Sequence, residues 1–129
     1  MKTILVTGTS SGIGNQICIQ AAAMNFRVIS VSRNIEALKD LGGIESFKLD
    51  ITDKDSVDDF VTNLKNRKIK IDILINNAGY LVSELFSETT YDSFKKTFDV
   101  NVFGLAEITR SLIPIINKDG HVINISSIG

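Results

Sequence analysis

The stretch Thr7-Gly8-Thr9-Ser10-Ser11-Gly12-Ile13-Gly14 constrains this chain more than any other. Before it stands Ile4-Leu5-Val6, an apolar and partly β-branched run short enough for a buried strand. After it, Ile13, Ile17, Ala21 and Met24 recur at helical spacing. Three glycines therefore sit where a strand turns into a helix. Gly8 permits a sharp turn, Gly12 lets backbone approach a ligand closely, and Gly14 lets the new helix press against the strand. The free N–H groups and the positive dipole end of that helix face whatever lies over the loop, and an anion suits them best. The hydroxyls of Thr9, Ser10 and Ser11 add donors. A ligand-free glycine-rich turn would carry the same letters, so the remainder of the sequence must decide.

That remainder alternates between strand and helix patterns. Strands are predicted over residues 3–7, 27–32, 45–49, 71–75 and 121–125, and helices over 13–25, 35–41, 53–67 and 91–117. The short second helix is stopped by Gly42-Gly43. The third carries Val57, Phe60, Val61 and Leu64 on one face, with Asp53 and Asp55 at its start and Lys65, Arg67 and Lys68 at its end, as the macrodipole favours. Such alternation means βαβ units, right-handed crossovers and a parallel sheet. The fold class expected is α/β, a doubly wound Rossmann-type sheet of strand order 3-2-1-4-5. The chain has 129 residues, enough for one domain with one core, so residues 1–129 are read as a single dinucleotide-binding domain.

In such sheets ligands bind at the carboxyl ends of the strands. Gly8, Ser32-Arg33, Asp50, Asn76 to Gly79 and Ser126-Ser127 all fall there. Composition removes other function classes. A net charge of −1 argues against a nucleic-acid binder. The lone cysteine, Cys18, cannot form an internal disulfide and suits core packing in a cytosolic protein. Met1-Lys2 leads straight into the first strand, and no apolar run is long enough for a membrane span, so a cytoplasmic location without membrane contact is expected. No metal site is expected.

Several residues carry two readings each. Arg33, nineteen positions past Gly14, stands where a Rossmann fold meets the adenosine ribose, and an arginine there can grip a 2′-phosphate. Its other reading is a solvated surface arginine. Asp50, followed by Ile51, could accept from an adenine amino group or cap the helix that starts near Asp53. Asn76-Asn77-Ala78-Gly79 can tie strand ends together and leave room for a flat ligand, or form an ordinary turn. Asn101 falls on the stripe Phe94, Phe98, Leu105, Ile108 and Leu112, where an amide on an apolar face needs partners. It is either a buried structural asparagine or one that organises water or backbone in an active site. Ser126 and Ser127 can donate to a substrate carbonyl oxygen or cap a following helix.

Taken jointly, these motifs resemble the short-chain dehydrogenase/reductase family from the first strand to the fifth. Thr7-Gly8-x-x-x-Gly12-x-Gly14 is similar to the family's cofactor loop, and Asn76-Asn77-Ala78-Gly79 to its NNAG motif. Asn101 within Asp99-Val100-Asn101-Val102 is similar to the active-site asparagine, and Ile125-Ser126-Ser127-Ile128-Gly129 to the segment that carries the catalytic serine, with Ser127 favoured by register. The resemblance implies hydride transfer between a nicotinamide cofactor and a small carbonyl or alcohol substrate. It implies catalytic roles for Asn101 and Ser127, and cofactor contacts from Gly8 through Gly14, Arg33, Asp50, Ile51, Asn77, Ala78 and Gly79. The family often places a basic residue just before the second glycine when it prefers NADP, whereas here it is Ser11, so NADP(H) over NAD(H) rests on Arg33.

The family's catalytic tyrosine, with a lysine four residues later, lies on the helix after strand five. The sequence stops at Gly129, before that helix. Tyr91-x-x-x-Lys95 matches in letters but precedes strand five, with Tyr91 ten residues from Asn101, about 15 Å along a helix. It is read as an ordinary first helical turn. The expectation is therefore an NADP-dependent reductase seen as a truncated chain, without an acid–base pair and without turnover of its own. A non-catalytic dinucleotide-binding scaffold or sensor is the alternative, and codons for Tyr-x-x-x-Lys soon after Gly129 would distinguish them. Phe103, Ala106 and Ile113 lie off the expected sheet-facing stripe of the long helix, and strand five would be an unpaired edge, so self-association into a homo-oligomer is expected.

Overall fold

A computed structural model describes residues 1–127. The elements are β1 (Thr3–Thr7), α1 (Gly12–Ala23), β2 (Arg27–Ser32), β3 (Ile44–Lys48), α2 (Lys54–Asn66), β4 (Ile71–Asn76), α3 (Tyr91–Phe98), α4 (Leu105–Leu112) and β5 (Ile116–Asn124). A π-helical segment, Asp99–Gly104, joins α3 to α4, and a 3₁₀ turn, Ile113–Ile115, follows α4. The five strands are parallel, in the order β3-β2-β1-β4-β5. β1 is central and all five of its residues are buried. Leu5 pairs with Ile29 on one side and Leu74 on the other, which brings the carboxyl ends of three strands to one level.

Because side chains alternate along a strand, the sheet feeds two cores. Leu5, Ile29, Val31 and Leu74 meet Phe60 and Leu64 of α2 and Ile108 and Leu112 of α4 on one face. Ile4, Val6, Val28 and Ile75 meet Cys18 and Ala21 of α1 on the other, with Leu38 closing the end. Burial pushes the Cys18 thiol up to about 11, so it packs as a neutral apolar group.

The structure moves four expectations. Residues 35–41 form turns rather than a helix. Asn34 Oδ1 accepts from the Glu36 N–H, Gly42-Gly43 follows at once, and a run this short cannot nucleate. On α1 the buried residues are Gly14, Cys18 and Ala21, whereas Ile13 and Met24 are exposed. Pressing Gly14 against the loop turns the helix away from the predicted stripe. The single long helix is broken in two, and the π turn shifts its phase. Val100, Gly104, Ile108 and Leu112 face inward, while Phe94 and Phe98 are exposed. Pro114 then ends the helix well before Asn117, since it lacks an N–H and its ring clashes one turn back. β5 accordingly begins at Ile116, which pairs with Ile71 ahead of an irregularity and the pairing of His121 with Ile73.

The tightest contact between layers is that of α1. A Cβ on Gly14 would overlap the Gly8 carbonyl oxygen and the Asn77 side-chain nitrogen. Gly14→Ala is expected to cost about 2–3 kcal/mol of stability by overpacking. Urea unfolding measures it, and a variant as stable as the parent would mean that α1 can slide outward freely.

Candidate functional site

A cleft of about 830 Å³ opens at the carboxyl ends of the strands. Its near wall is the loop between β1 and α1. Gly8 adopts φ +71°, and a Cβ there would lie 2.6 Å from Ala78 Cα. Gly12 adopts φ +62° with nothing within 4 Å of its Cβ position, so the loop's surface at that point is bare backbone. Ser11 caps α1 without a side-chain hydrogen bond, and the first turn holds no acid. The N–H groups at that helix start are left for a ligand. Ser10 and Ser11 line the cleft.

Thr9 does not join them, contrary to expectation. Its hydroxyl is buried and bonded to Ser30 Oγ at 2.6 Å, so it braces the loop from behind. Ile13 is exposed and lies off the cleft lining, as do Gly12 and Gly14.

The turn after β4 is fastened to this loop. Thr7 Oγ1 accepts from the Asn77 and Ala78 N–H groups at 3.1 and 3.0 Å, and Asn77 Nδ2 donates to the Gly8 carbonyl at 2.8 Å. Asn76 points the other way. It is buried, and its Nδ2 donates to Thr109 Oγ1 and Asn124 Oδ1, both at 2.9 Å, which ties β4 to α4 and β5. The two adjacent amides thus join neighbouring strand ends, and Asn77, Ala78 and Gly79 are left on the cleft.

At the far end of the cleft stand Arg33 and Asn34 after β2, and Asp50, Ile51 and Thr52 after β3. Arg33 is exposed. Of the two readings of Asp50, capping belongs instead to Asp53, whose carboxylate accepts from the Ser56 N–H at 3.2 Å and is held below the usual carboxylate range by that bond. Asp50 remains on the cleft, with Oδ1 engaged by the Thr52 N–H and hydroxyl. Val31, Leu49, Ile51 and Val100 supply an apolar floor.

Asn101 sits in the π segment, exposed rather than on a buried stripe. Its Oδ1 accepts from the Tyr80 N–H and its Nδ2 donates to the Tyr80 carbonyl, each at 2.8 Å. Its partners are backbone, and the pair of bonds fixes the chain as it leaves Gly79. Asn101 and Ser127 both lie outside the cleft lining, and Ser127 is exposed beyond β5. Ile128 and Gly129, the rest of the predicted serine segment, lie outside the described residues.

Residues of α3 and the π segment form the opposite wall, Asp92, Lys95, Lys96 and Asp99, together with Tyr80, and the sequence gives none of them a place in the site. Lys96 Nζ lies 4.3 Å from the centre of the Tyr80 ring. Lys95 Nζ is bonded to Asp99 Oδ2 at 2.8 Å, which raises its pKa, and so it engages Asp99 rather than Tyr91, which is 78% exposed. Their shared helical face is a readable signal, since Asp92, Lys95, Lys96 and Asp99 recur at steps of three and four. Among the described residues there is no group of side chains that could hold a metal ion, and no helix long and apolar enough to cross a membrane.

A sequence model of the family described as short chain dehydrogenase matches residues 2–129. The chain belongs to the short-chain dehydrogenase family. It is 36% identical to a fatty acyl-CoA reductase of Acinetobacter baylyi over 99% of its own length and 48% of the relative's. Its fold is similar to a short-chain dehydrogenase of Streptomyces avermitilis, with a TM-score of 0.89 and 38% identity, covering 98% of this chain and 49% of that one. It is similar also to a short chain dehydrogenase of Leptospira borgpetersenii solved with bound NAD+, with a TM-score of 0.91 and 26% identity over 98% of this chain and 52% of that one. The chain spans about half the length of the curated relatives it matches. Short-chain dehydrogenases are oxidoreductases that bind nicotinamide dinucleotides, and the bare loop and uncapped helix start of this one suit the phosphates of such a ligand.

In this short-chain dehydrogenase the loop pair depends on one hydroxyl. Thr7→Val keeps the shape and removes the acceptor of two backbone N–H groups. The expected loss is about 2 kcal/mol of stability, read by thermal or urea unfolding. An unchanged midpoint would mean that water replaces the hydroxyl at no cost.

Proposed function

We propose that this chain is the cofactor-binding part of a reductase that moves hydride between NADP(H) and a small carbonyl or alcohol substrate. The observation that carries this reading is convergence. The Gly8–Gly12 loop, the uncapped start of α1, the turn at Asn77–Gly79 and Arg33 all border one cleft or the loop that walls it. The bare backbone at Gly12 and the N–H groups of α1 receive the pyrophosphate. Arg33 meets the ribose 2′-phosphate, Asp50 takes the adenine amino group, and Ile51 and Val100 lie under the ring. A bound nicotinamide dinucleotide supplies or accepts the hydride. Asn101 holds the backbone at Tyr80 in place, and Ser127 donates to the substrate carbonyl oxygen.

The Leptospira relative was solved with NAD+, so the choice of NADP here rests on the chemistry of Arg33 alone. A guanidinium on a phosphate makes charge-assisted hydrogen bonds that a hydroxyl cannot match. NADPH is expected to bind about tenfold or more tightly than NADH, and Arg33→Ala to erase the difference. Titration calorimetry with both cofactors measures it. Equal affinities in the unmutated chain would overturn the preference and leave the dinucleotide site standing.

The exposed apolar surface supports assembly with a second copy. Phe98, Phe103, Ile113, Val122, Ile123 and Ile125 are each at least 40% exposed, on the broken helix, along β5 and just past its end. Sedimentation velocity at micromolar concentration is expected to give a dimer or larger species. A stable monomer would mean that the existing layers cover the sheet well enough.

A further inference from the structure

Beneath the floor of the cleft lies a contact made by Gly104, which is not itself part of the lining. Gly104 closes the π segment and is buried. A Cβ on it would lie 2.9 Å from Ile51 Cγ1, 3.2 Å from Ile51 Cδ1 and 2.9 Å from the Asp99 carbonyl oxygen, where ordinary contact starts at 3.4 Å. The Asp99 carbonyl is five residues back, the reach of a π turn, and cannot withdraw without undoing that turn. Ile51 is the part that would yield. Its inner side belongs to the core that also holds Leu49, Val57 and Ile108, and its outer side lines the cleft. A dense core offers no room, so the open direction is into the cleft.

We propose that Gly104, which touches no ligand, is a positioning residue that sets the width of the adenine end of the cleft by letting Ile51 seat against the π segment. Val100 lies one turn earlier on the same helical face, half-buried against the same core. The two side chains form a floor whose height is fixed by the absence of a third. A flat ring enters only while Ile51 stays down. Gly104 thus links the segment that carries Asn101 to the adenine end of the site, through one aliphatic side chain. This inference rests on the dinucleotide reading of the cleft.

A double-mutant cycle tests it. Gly104→Ala, Ile51→Ala and the double variant of the 129-residue chain are titrated with NADPH and with 2′,5′-ADP. Gly104→Ala is expected to weaken both ligands by roughly tenfold when residue 51 is isoleucine. In the Ile51→Ala background the same change is expected to cost less than about twofold, because Ile51 Cγ1 and Cδ1 are gone and the Asp99 carbonyl contact is common to both backgrounds. Equal losses in both backgrounds would place the effect in the π turn and overturn the proposal. If Gly104→Ala fails to fold alone, folding is expected to return with Ile51→Ala, and failure in both backgrounds overturns it as well. The Ile51 δ1 methyl resonance gives a readout that needs no ligand. It is expected to shift in Gly104→Ala, and an unmoved resonance would overturn the seating of Ile51. An unmutated chain that binds neither ligand would instead overturn the dinucleotide reading, with the methyl still reporting on Gly104.

Discussion

The carboxyl edge of the sheet depends on two backbones that touch where no Cβ fits. Gly8 leaves room for Ala78, and Gly14 leaves room for the Gly8 carbonyl and the Asn77 amide. Only with those side chains absent can Thr7 accept two N–H groups from the turn after β4 and Asn77 return a bond to Gly8. The glycine loop and the turn that shapes the cleft are therefore one rigid piece. Hydrogen bonding alone would not achieve this, since each bond needs the close approach first. The glycines supply geometry, and the amide and hydroxyl lock it.

Polar groups then distribute this rigidity. Asn76 is buried, and its amide nitrogen reaches both α4 and β5. Leaving those buried N–H groups unpaired would be costly, so the three elements are held in one arrangement. Asn101 does the same on the surface, with two short bonds to one residue's backbone. The chain from β4 to Tyr80 is thereby pinned at both ends.

The sheet order and the positions of β1, β2 and β4 are legible because a buried parallel strand is a dense apolar run flanked by breakers, as Ile4-Leu5-Val6 and Ile71 to Ile75 are, whereas β5 begins five residues before its expected start. The glycine roles were legible for the same local reason. What escaped was helical phase. Ile13 is on the predicted inner stripe of α1 and ends up exposed, because the tight seat of Gly14 overrides hydrophobicity. Asn101 was assigned to a buried stripe by counting in steps of three and four, and a π turn invalidates that count. Thr9 has the letters of a ligand donor, but its partner Ser30 is on a strand twenty-one residues away. Pro114 was the one local sign of the true helix end, and the apolar run around it masked the signal. Spacing within an element could be read, whereas contacts between elements could not.

β1 is the first strand in the chain and the middle strand of the sheet, and this has a consequence for how the protein is made. During synthesis the glycine loop leaves the ribosome well before the turn after β4. Its hydrogen-bond partners Asn77 and Ala78 are seventy and seventy-one residues further on. β2 can pair with β1 early, but the other side of β1 stays open, with its backbone unsatisfied, until β4 has emerged. Closing so long a loop is slow compared with forming a helix. For that interval the nascent chain presents a half-covered apolar strand, the state in which wrong strand pairing competes with the correct one. Order at the glycine loop therefore waits for a strand made long after it.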